Sequence, residues 1–218
     1  MADGRVRHMK PGAQTKITVF LTVLLLIGTL YLQGQSIIRP SLNAYSWIAT
    51  IITAVLIAWN KWLWRIKLLY PLSKMPDVRG TWKAELNSFW KDPKTGQARG
   101  KIEVYLVFRQ TFSSLDIRLF SAESSSVSLS ANVVTDGEGV HTIATTYRNE
   151  PSIAHLAHSP ISHGGMLLSI RGEEIVRQID GKYWTDRQST GEIKMTERSS
   201  KIASGFDEAS QLAFKQPL

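Results

Sequence analysis

The sequence predicts an all-β domain that follows two apolar helices near the N-terminus. Residues 17–38 and 40–60 contain no charged side chain, and Arg39 separates them. From residue 78 onward, apolar and polar residues alternate with a period of two, which is typical of half-buried strands. Each apolar stretch is about 20 residues long, the length that a helix needs to cross a bilayer core. We therefore expect a transmembrane hairpin joined to a β domain.

Two other interpretations of the apolar stretches are open. The basic residues before 17–38 are typical of a signal peptide, but Tyr31-Leu32-Gln33 stands where a small-residue cleavage site would be expected. The stretch 40–60 could be a buried core helix. A hairpin accounts for both stretches at once, and tryptophans and tyrosines near their ends suit the membrane interfaces.

The basic residues predict the orientation of the hairpin. Lysines and arginines are frequent in the N-terminal segment 1–16 and in the linker 61–77, whereas the connecting loop carries only Arg39. The positive-inside rule therefore predicts a multi-pass protein with both termini in the cytoplasm. The chain contains no cysteine, which agrees with a reducing compartment.

The net charge of +8 does not indicate a partner made of long nucleic acid. Residues 1–70 hold 8 lysines and arginines against 1 acid, while residues 71–218 hold 18 against 17. The excess therefore flanks the hairpin, where it suits anionic lipid, and the β domain lacks the basic surface that DNA or RNA would require. A small anionic ligand bound by a few arginines remains compatible with this balance.

The β domain is expected to span residues 78–200. About eight alternating segments with mostly short connections predict an antiparallel meander, which closes readily into a small barrel. A two-layer sandwich is the alternative. Inward positions are expected to include Leu106, Phe108, Ile117 and Leu129. The long connection Glu150–Ser162 is a candidate lid, and the tail 201–218 is either a short helix or a frayed end.

Motifs for catalysis are weak, so we expect no enzymatic activity and no cofactor. His155, His158 and His163 form the one metal-like cluster, but no cysteine joins them and no H-E-x-x-H frame is present. Ser88 and Lys91 have the S-x-x-K spacing of some acyl enzymes, without the accompanying motifs of that class. We therefore predict no metal site and no catalytic residue.

Aromatic and basic residues of the β domain are the candidates for ligand binding. Aromatic rings stack on planar bases, and guanidinium groups bind phosphate oxygens in bidentate fashion. The alternative is that the aromatics are strand formers and the arginines face water. The candidate residues are Trp82, Tyr105, Arg109, Tyr147, Arg148, Trp184, Thr185 and Arg187.

Small residues recur every four positions in the second apolar stretch, at Thr50, Ala54 and Ala58. This pattern lets membrane helices approach each other closely. It indicates either packing within the hairpin or self-association between chains.

Three short segments resemble a known family. The β domain opens with Arg79-Gly80-Thr81-Trp82-Lys83-Ala84-Glu85-Leu86, and near its end come Gly181-Lys182-Tyr183-Trp184-Thr185-Asp186-Arg187 and the strand Ser189-Thr190-Gly191-Glu192-Ile193-Lys194-Met195. Together with the hairpin, these segments resemble the two-transmembrane, β-strand-rich effector family found beside bacterial cyclic-nucleotide synthases in cyclic-oligonucleotide anti-phage signalling (CBASS).

The resemblance implies a non-enzymatic effector in the bacterial inner membrane with an eight-stranded, lipocalin-like barrel in the cytoplasm. A cyclic dinucleotide would bind the barrel and drive assembly into a homo-oligomer, and the hairpin would then disrupt the bilayer and cause abortive cell death. A membrane-tethered barrel that binds a lipid or another apolar ligand is the alternative. An enzyme that uses the histidine-containing loop is a further alternative.

Overall fold

The computed structural model describes residues 13–32, 42–91, 96–98, 100–156, 159–172 and 175–217. The chain divides into two units, Met1–Met75 and Pro76–Leu218. The first unit contains helices α1 (Ala13–Leu32), α2 (Leu42–Lys61) and α3 (Tyr70–Ser73), with 3₁₀ turns at Leu63–Arg65 and Lys67–Leu69.

Helices α1 and α2 cover most of the two apolar stretches, and each is 20 residues long. In the part of the chain that the structure describes, no helix is both long and apolar enough to cross a membrane. The transmembrane hairpin predicted at 17–38 and 40–60 is thus not confirmed and stays a prediction. On α2, Thr50 and Ala54 are exposed and Ala58 is half-buried.

The second unit is an eight-stranded antiparallel barrel in which each strand pairs with its neighbours in sequence and β8 closes onto β1. The strands are β1 (Gly80–Ser88), β2 (Lys101–Gln110), β3 (Leu115–Phe120), β4 (Ser124–Thr135), β5 (His141–Pro151), β6 (Ser162–Arg171), β7 (Gln178–Thr185) and β8 (Thr190–Ser199). The predicted meander barrel is confirmed, and the sandwich is excluded. Short connections between alternating strands favour this arrangement because they permit only antiparallel neighbours.

The meander gives the barrel two different ends. The β1–β2, β3–β4, β5–β6 and β7–β8 connections lie at one end, which we call the open end. The chain enters β1 at the opposite, closed end, where the β2–β3, β4–β5 and β6–β7 connections also lie. This division matters because packed side chains fill one end and a cavity occupies the other.

Apolar side chains that alternate along the strands fill the closed end. The fully buried residues there are Trp82 on β1, Leu106 and Phe108 on β2, Ile143 on β5, Ile179 on β7 and Met195 on β8. The Trp82 indole donates a hydrogen bond to the Val78 carbonyl over 2.9 Å. The predicted inward positions Leu106, Phe108 and Ile117 are therefore confirmed.

The prediction that Leu129 faces inward is wrong. A β-bulge between Ser128 and Ser130 leaves Leu129 without an opposite residue on β5, and its side chain is 64% exposed. The extra residue reverses the alternation, so that Ser126 faces inward before the bulge and Ala131 and Val133 pack on the core after it.

The tail contains a short helix, α4 (Phe206–Ser210), which is one of the two alternatives that the sequence left open. Its Phe206 and the following Phe214 pack on Tyr105, with ring centroids 5.4 and 5.7 Å away. The tail thereby covers the outer face of β2, with Ala203 and Ala209 fully buried.

Candidate functional site

A cavity of about 500 Å³ occupies the open end of the barrel. This volume lies within the range of pockets that bind small molecules. The cavity floor is apolar and consists of Leu86, Ile102, Val104, Leu119 and Met166. Its walls and rim are polar, because seven serines and Asn149 line them. The serines are Ser88, Ser121, Ser124, Ser126, Ser159, Ser162 and Ser189.

Two tyrosines stand in the cavity wall on the two strands that flank β6. Tyr147 on β5 and Tyr183 on β7 are both more than 90% buried, and both side chains line the cavity. The Tyr147 hydroxyl donates to the Trp184 carbonyl at 3.4 Å. Burial, with smaller contributions from Tyr183 and Asp186, raises the pKa of the Tyr147 phenol, so it stays protonated at neutral pH. The pair offers flat apolar faces with polar tips.

Two glycines make room for these rings. A Cβ atom at Gly164 would lie 2.6 Å from the Tyr147 hydroxyl and 2.3 Å from the Trp184 carbonyl oxygen. A Cβ at Gly191 would lie 2.6 Å from the Tyr183 ring and 2.3 Å from the Asn87 carbonyl oxygen. Any larger residue would therefore displace a ring or the neighbouring strand.

Among the residues that the structure describes, one arginine lies at the rim of the cavity. Arg187, in the β7–β8 turn, donates a hydrogen bond from Nη1 to the Ser159 hydroxyl over 3.0 Å, and the turn thereby meets the β5–β6 connection. His155 also lines the cavity and bonds through Nδ1 to the Ser152 hydroxyl at 2.9 Å. Glu123 lies in the β3–β4 turn at the same rim. A polyanion at this end would therefore meet Arg187 and many hydroxyl donors.

Inside the cavity, Ser126 and Asn149 form a side-chain pair on adjacent strands. The Ser126 hydroxyl donates to the Asn149 side-chain oxygen over 2.9 Å. Ser88, Ser126 and Ser162 are buried in the wall. Side chains of this kind fix the orientation of a ligand through hydrogen bonds to its polar edges.

Three of the eight predicted ligand-binding residues line the cavity: Tyr147, Thr185 and Arg187. Thr185 is half-buried and accepts a hydrogen bond from the Ser189 amide at 3.2 Å. These three come from β5, β7 and the β7–β8 turn, so the fold joins residues that are up to 40 positions apart in the sequence.

The structure places the other five predicted residues elsewhere. Trp82 is enclosed in the closed-end core, and Tyr105 lies under the tail with its hydroxyl bonded to Glu103 at 2.6 Å. Arg109 and Arg148 are exposed on the outer face because their neighbours Phe108 and Tyr147 face inward. Arg148 pairs there with Glu150 at 2.7 Å.

Trp184 is likewise on the outer face. It is 44% exposed, and its ring covers Gly165 on β6. The inward residue on this part of β7 is its neighbour Tyr183, which sequence reasoning missed. The alternation that starts at the buried Ile179 would have indicated Tyr183 and Thr185 as the inward pair.

The histidine cluster does not form a metal site in the part of the chain that the structure describes. No group of three or more His, Asp or Glu residues is suitably placed there, and His158 lies outside the described residues. His163 instead faces Asp186, with 3.6 Å between Nδ1 and the carboxylate. Ser88 lines the cavity, and its hydroxyl oxygen accepts a hydrogen bond from the Trp90 amide at 3.3 Å.

The comparisons with known proteins agree with a small-molecule receptor. Residues 73–197 match the family model described as the Cap15 cyclic dinucleotide receptor domain. A curated relative from Staphylococcus schleiferi, CD-NTase-associated protein 15, is 27% identical over 154 residues, which cover 71% of this chain and 79% of that protein. The matched region includes every strand except the last two residues of β8. This chain belongs to the Cap15 family of CBASS effectors.

Proposed function

We propose that this chain is a membrane effector of bacterial anti-phage defence whose barrel binds a cyclic dinucleotide in the open-end cavity. Binding drives self-association, and the N-terminal helices then disrupt the inner membrane and cause abortive cell death. Both termini lie in the cytoplasm. The observation that carries the proposal is the cavity itself, with Tyr147 and Tyr183 in its wall and Arg187 at its rim.

The chemistry of the cavity suits the two parts of such a ligand. A cyclic dinucleotide has two planar bases, and stacking on an aromatic ring contributes about 1–3 kcal/mol per base. Its two phosphates need donors, and Arg187 with the rim serines supplies them. The half-buried Asn149 and the buried Ser88, Ser126 and Ser162 are available to bond the polar edges of a base.

The lining argues against the alternative of a lipid ligand. A lipid-binding barrel requires an almost wholly apolar lumen, whereas here the apolar floor is overlaid by seven serines and Asn149. A hydroxyl or amide group of the lining that has no protein partner would lose its hydrogen bonds to water without replacement against an acyl chain, at about 1–3 kcal/mol each.

The proposal also differs from an enzyme that uses the histidine-containing loop. His155 lines the cavity, so its loss is expected to weaken ligand binding modestly and to leave ligand-induced assembly intact at saturating ligand. An enzyme that depends on His155 would lose activity at any ligand concentration. The His155→Ala variant therefore separates the two.

The test uses the full chain reconstituted in dye-loaded vesicles of anionic phospholipid. A panel of cyclic dinucleotides is titrated by calorimetry in detergent and by dye release in vesicles, with the linear dinucleotides of the same bases as controls. We expect one cyclic member to bind and to release dye, and its linear control to do neither. Failure to bind any member would overturn the receptor assignment. Binding without dye release would overturn membrane disruption alone.

A further inference from the structure

Strand β4 has an open edge along most of its length. Of its residues, only Ser125, Ser126 and Val127 pair with β3, whereas the pairing with β5 extends from Ser124 to Thr135. Between Leu129 and Thr135, no backbone partner on the β3 side is present among the residues that the structure describes. The barrel is therefore joined between β3 and β4 by a short seam of three residue pairs, extended by the hydrogen bond that the Ile117 amide donates to the Ser128 hydroxyl at 3.0 Å.

The direction of the free backbone groups follows from the ladder with β5. The Asp136 amide donates to the Val140 carbonyl, and Thr145 donates its hydroxyl to the Ser130 carbonyl. Backbone groups alternate in direction along an antiparallel strand. The amides and carbonyls of the even-numbered residues from Ser130 to Asp136 therefore point toward β5. The amides and carbonyls of Ala131, Val133 and Thr135 consequently point toward the open edge.

This edge lacks two of the features that usually prevent association, charge and proline, and a β-bulge lies at its start, at Leu129. Exposed edge strands are commonly protected by lysines, prolines or covering segments. The segment Leu129–Thr135 contains neither charge nor proline, and Leu129 and Val134 are 64% and 53% exposed. A second strand could add here without burying an unpaired charge.

We propose that this edge pairs with the same edge of a second copy of the chain, antiparallel and centred on Asn132. In this register Ala131 of each copy exchanges hydrogen bonds with Val133 of the other, and the Asn132 side chains face each other across the two-fold axis. The seven-residue uncharged segment overlaps fully with itself only in this register. The inference deepens the proposed function and rests on its self-association step.

Charge complementarity favours a second copy as the partner. The register places the β4–β5 turn of one copy, with Asp136 and Glu138, beside Ser128 of the other. Ser128 borders a depression of about 120 Å³ on the outer face, where β3 and β4 separate. Arg109 and Arg118 line that depression together with Asp116, so it keeps an excess of positive charge. Each copy would thus supply both halves of the ionic contact.

The seam also connects this edge to the ligand cavity. The β3–β4 turn, residues 121–124, and the inward Ser126 line the cavity, while the adjacent Ser125 and Val127 form the seam. A ligand that contacts the turn therefore acts directly on the few pairs that hold β3 against β4. Ligand binding favours the dimer if the ligand makes better contacts with the β3–β4 turn when the β4 edge is paired with a second copy.

The absence of native cysteine allows a direct test. Asn132→Cys in the full chain should form a disulfide-linked dimer on mild oxidation, because opposite residues in a non-hydrogen-bonded antiparallel pair lie about 4.5 Å apart between Cα atoms, within disulfide range. The matched control is Leu167→Cys on β6, which is also on the outer face but lies in a strand paired on both sides. In parallel, calorimetry measures the binding of the panel of cyclic dinucleotides to the wild-type chain.

The expected result is a crosslinked dimer as the main product for Asn132→Cys and monomer for Leu167→Cys. A second pair, Val134→Lys and Leu167→Lys, should show loss of assembly by light scattering only for Val134→Lys. Monomeric Asn132→Cys, or equal crosslinking of both cysteine variants, overturns the edge pairing. Failure of the wild type to bind a cyclic dinucleotide overturns the receptor function instead, and crosslinking then decides the edge pairing alone.

Discussion

The open and closed ends of the barrel are built from the same eight strands but serve different purposes. At the closed end, Trp82 and large aliphatic side chains fill the lumen completely. At the open end, the inward positions carry serines, glycines and two tyrosines, and a cavity of about 500 Å³ remains. The difference shows that residue size at inward positions divides one barrel into a packed half and a half with a cavity, which is the proposed binding half.

The closed end is also held by an ionic cluster. Asp77 accepts bonds from Arg79 at 2.6 and 2.8 Å, and Arg198 donates to the Asp77 carbonyl at 3.0 Å while its guanidinium lies 5.7 Å from the Trp82 ring centroid. Burial alone would raise the pKa of Asp77, but the bonds and charges of the two arginines outweigh it and lower that pKa. The cluster ties the start of β1 to the end of β8, where the barrel closes.

The largest expected effect is on the closed end. Trp82→Ala should lower the free energy of unfolding by about 3–5 kcal/mol, because it leaves a cavity in the packed half. Trp184→Ala should cost about 1 kcal/mol or less, because that ring is partly exposed on the outer face. Denaturant unfolding of the full chain in detergent measures both values, with Trp82→Phe as the milder variant if Trp82→Ala does not fold. Equal losses of unfolding free energy in Trp82→Ala and Trp184→Ala would contradict the division of the barrel into a packed end and an open end.

The next effect concerns the aromatic wall of the cavity. Tyr183→Leu should weaken cyclic dinucleotide binding by about 1–3 kcal/mol, the contribution of one stacked base. Trp184→Leu, one residue away on the opposite face, should leave affinity unchanged. Calorimetric titration compares the two. A loss confined to Trp184→Leu would place the ligand on the outer face of β7.

A smaller effect is expected for the arginines. Arg187→Gln should weaken binding by about 1.5 kcal/mol, the lower end for a bond to a charged group, because this side chain is exposed at the rim. Arg148→Gln removes an equal charge from the outer face, where Arg148 pairs with Glu150, and should leave affinity unchanged. Calorimetric titration of the Arg187→Gln and Arg148→Gln variants with the cyclic dinucleotide, at two salt concentrations, checks this comparison. Equal weakening by both variants would indicate a diffuse charge effect.

The smallest effect is a pH dependence at the closed end. Burial lowers the pKa of His141, although Asp136 opposes the shift, and its Nδ1 lies 2.8 Å from the Thr135 hydroxyl. The lowered pKa stabilises the fold above the unfolded histidine pKa of about 6.5, and this stability is lost as pH falls through the folded value. The melting temperature should therefore decline from pH 7.5 to 5, and less so in His141→Gln. An identical decline in both would exclude His141 as the cause.

Much of the barrel could be predicted from the sequence because period-2 alternation reports which residues face the core. It identified eight strands, the meander and the inward Leu106, Phe108 and Ile117. It failed at Leu129, since a bulge changes the inward face without changing the composition of the strand. A bulge depends on pairing with the neighbouring strand, which a single strand's pattern does not contain.

The cavity could be predicted only in part, for a related reason. Side-chain type alone indicates Tyr147 together with its outward neighbour Arg148, and Trp184 in place of the inward Tyr183, because it does not report which face of a strand a residue occupies. Serines carry little signal in a sequence, although seven of them define the polar wall. Their role becomes visible only when the meander brings four connections to one end.

The central claim is that the open end is the binding half, and a titration of two variants tests it most directly. Ser126→Phe places a large ring in the cavity, whereas Ser125→Phe places the same ring on the opposite face of β4, one residue away. Calorimetry of the full chain with the cyclic dinucleotide that binds the wild type should show no binding for Ser126→Phe and wild-type affinity for Ser125→Phe. Wild-type affinity for a folded Ser126→Phe variant would contradict the account.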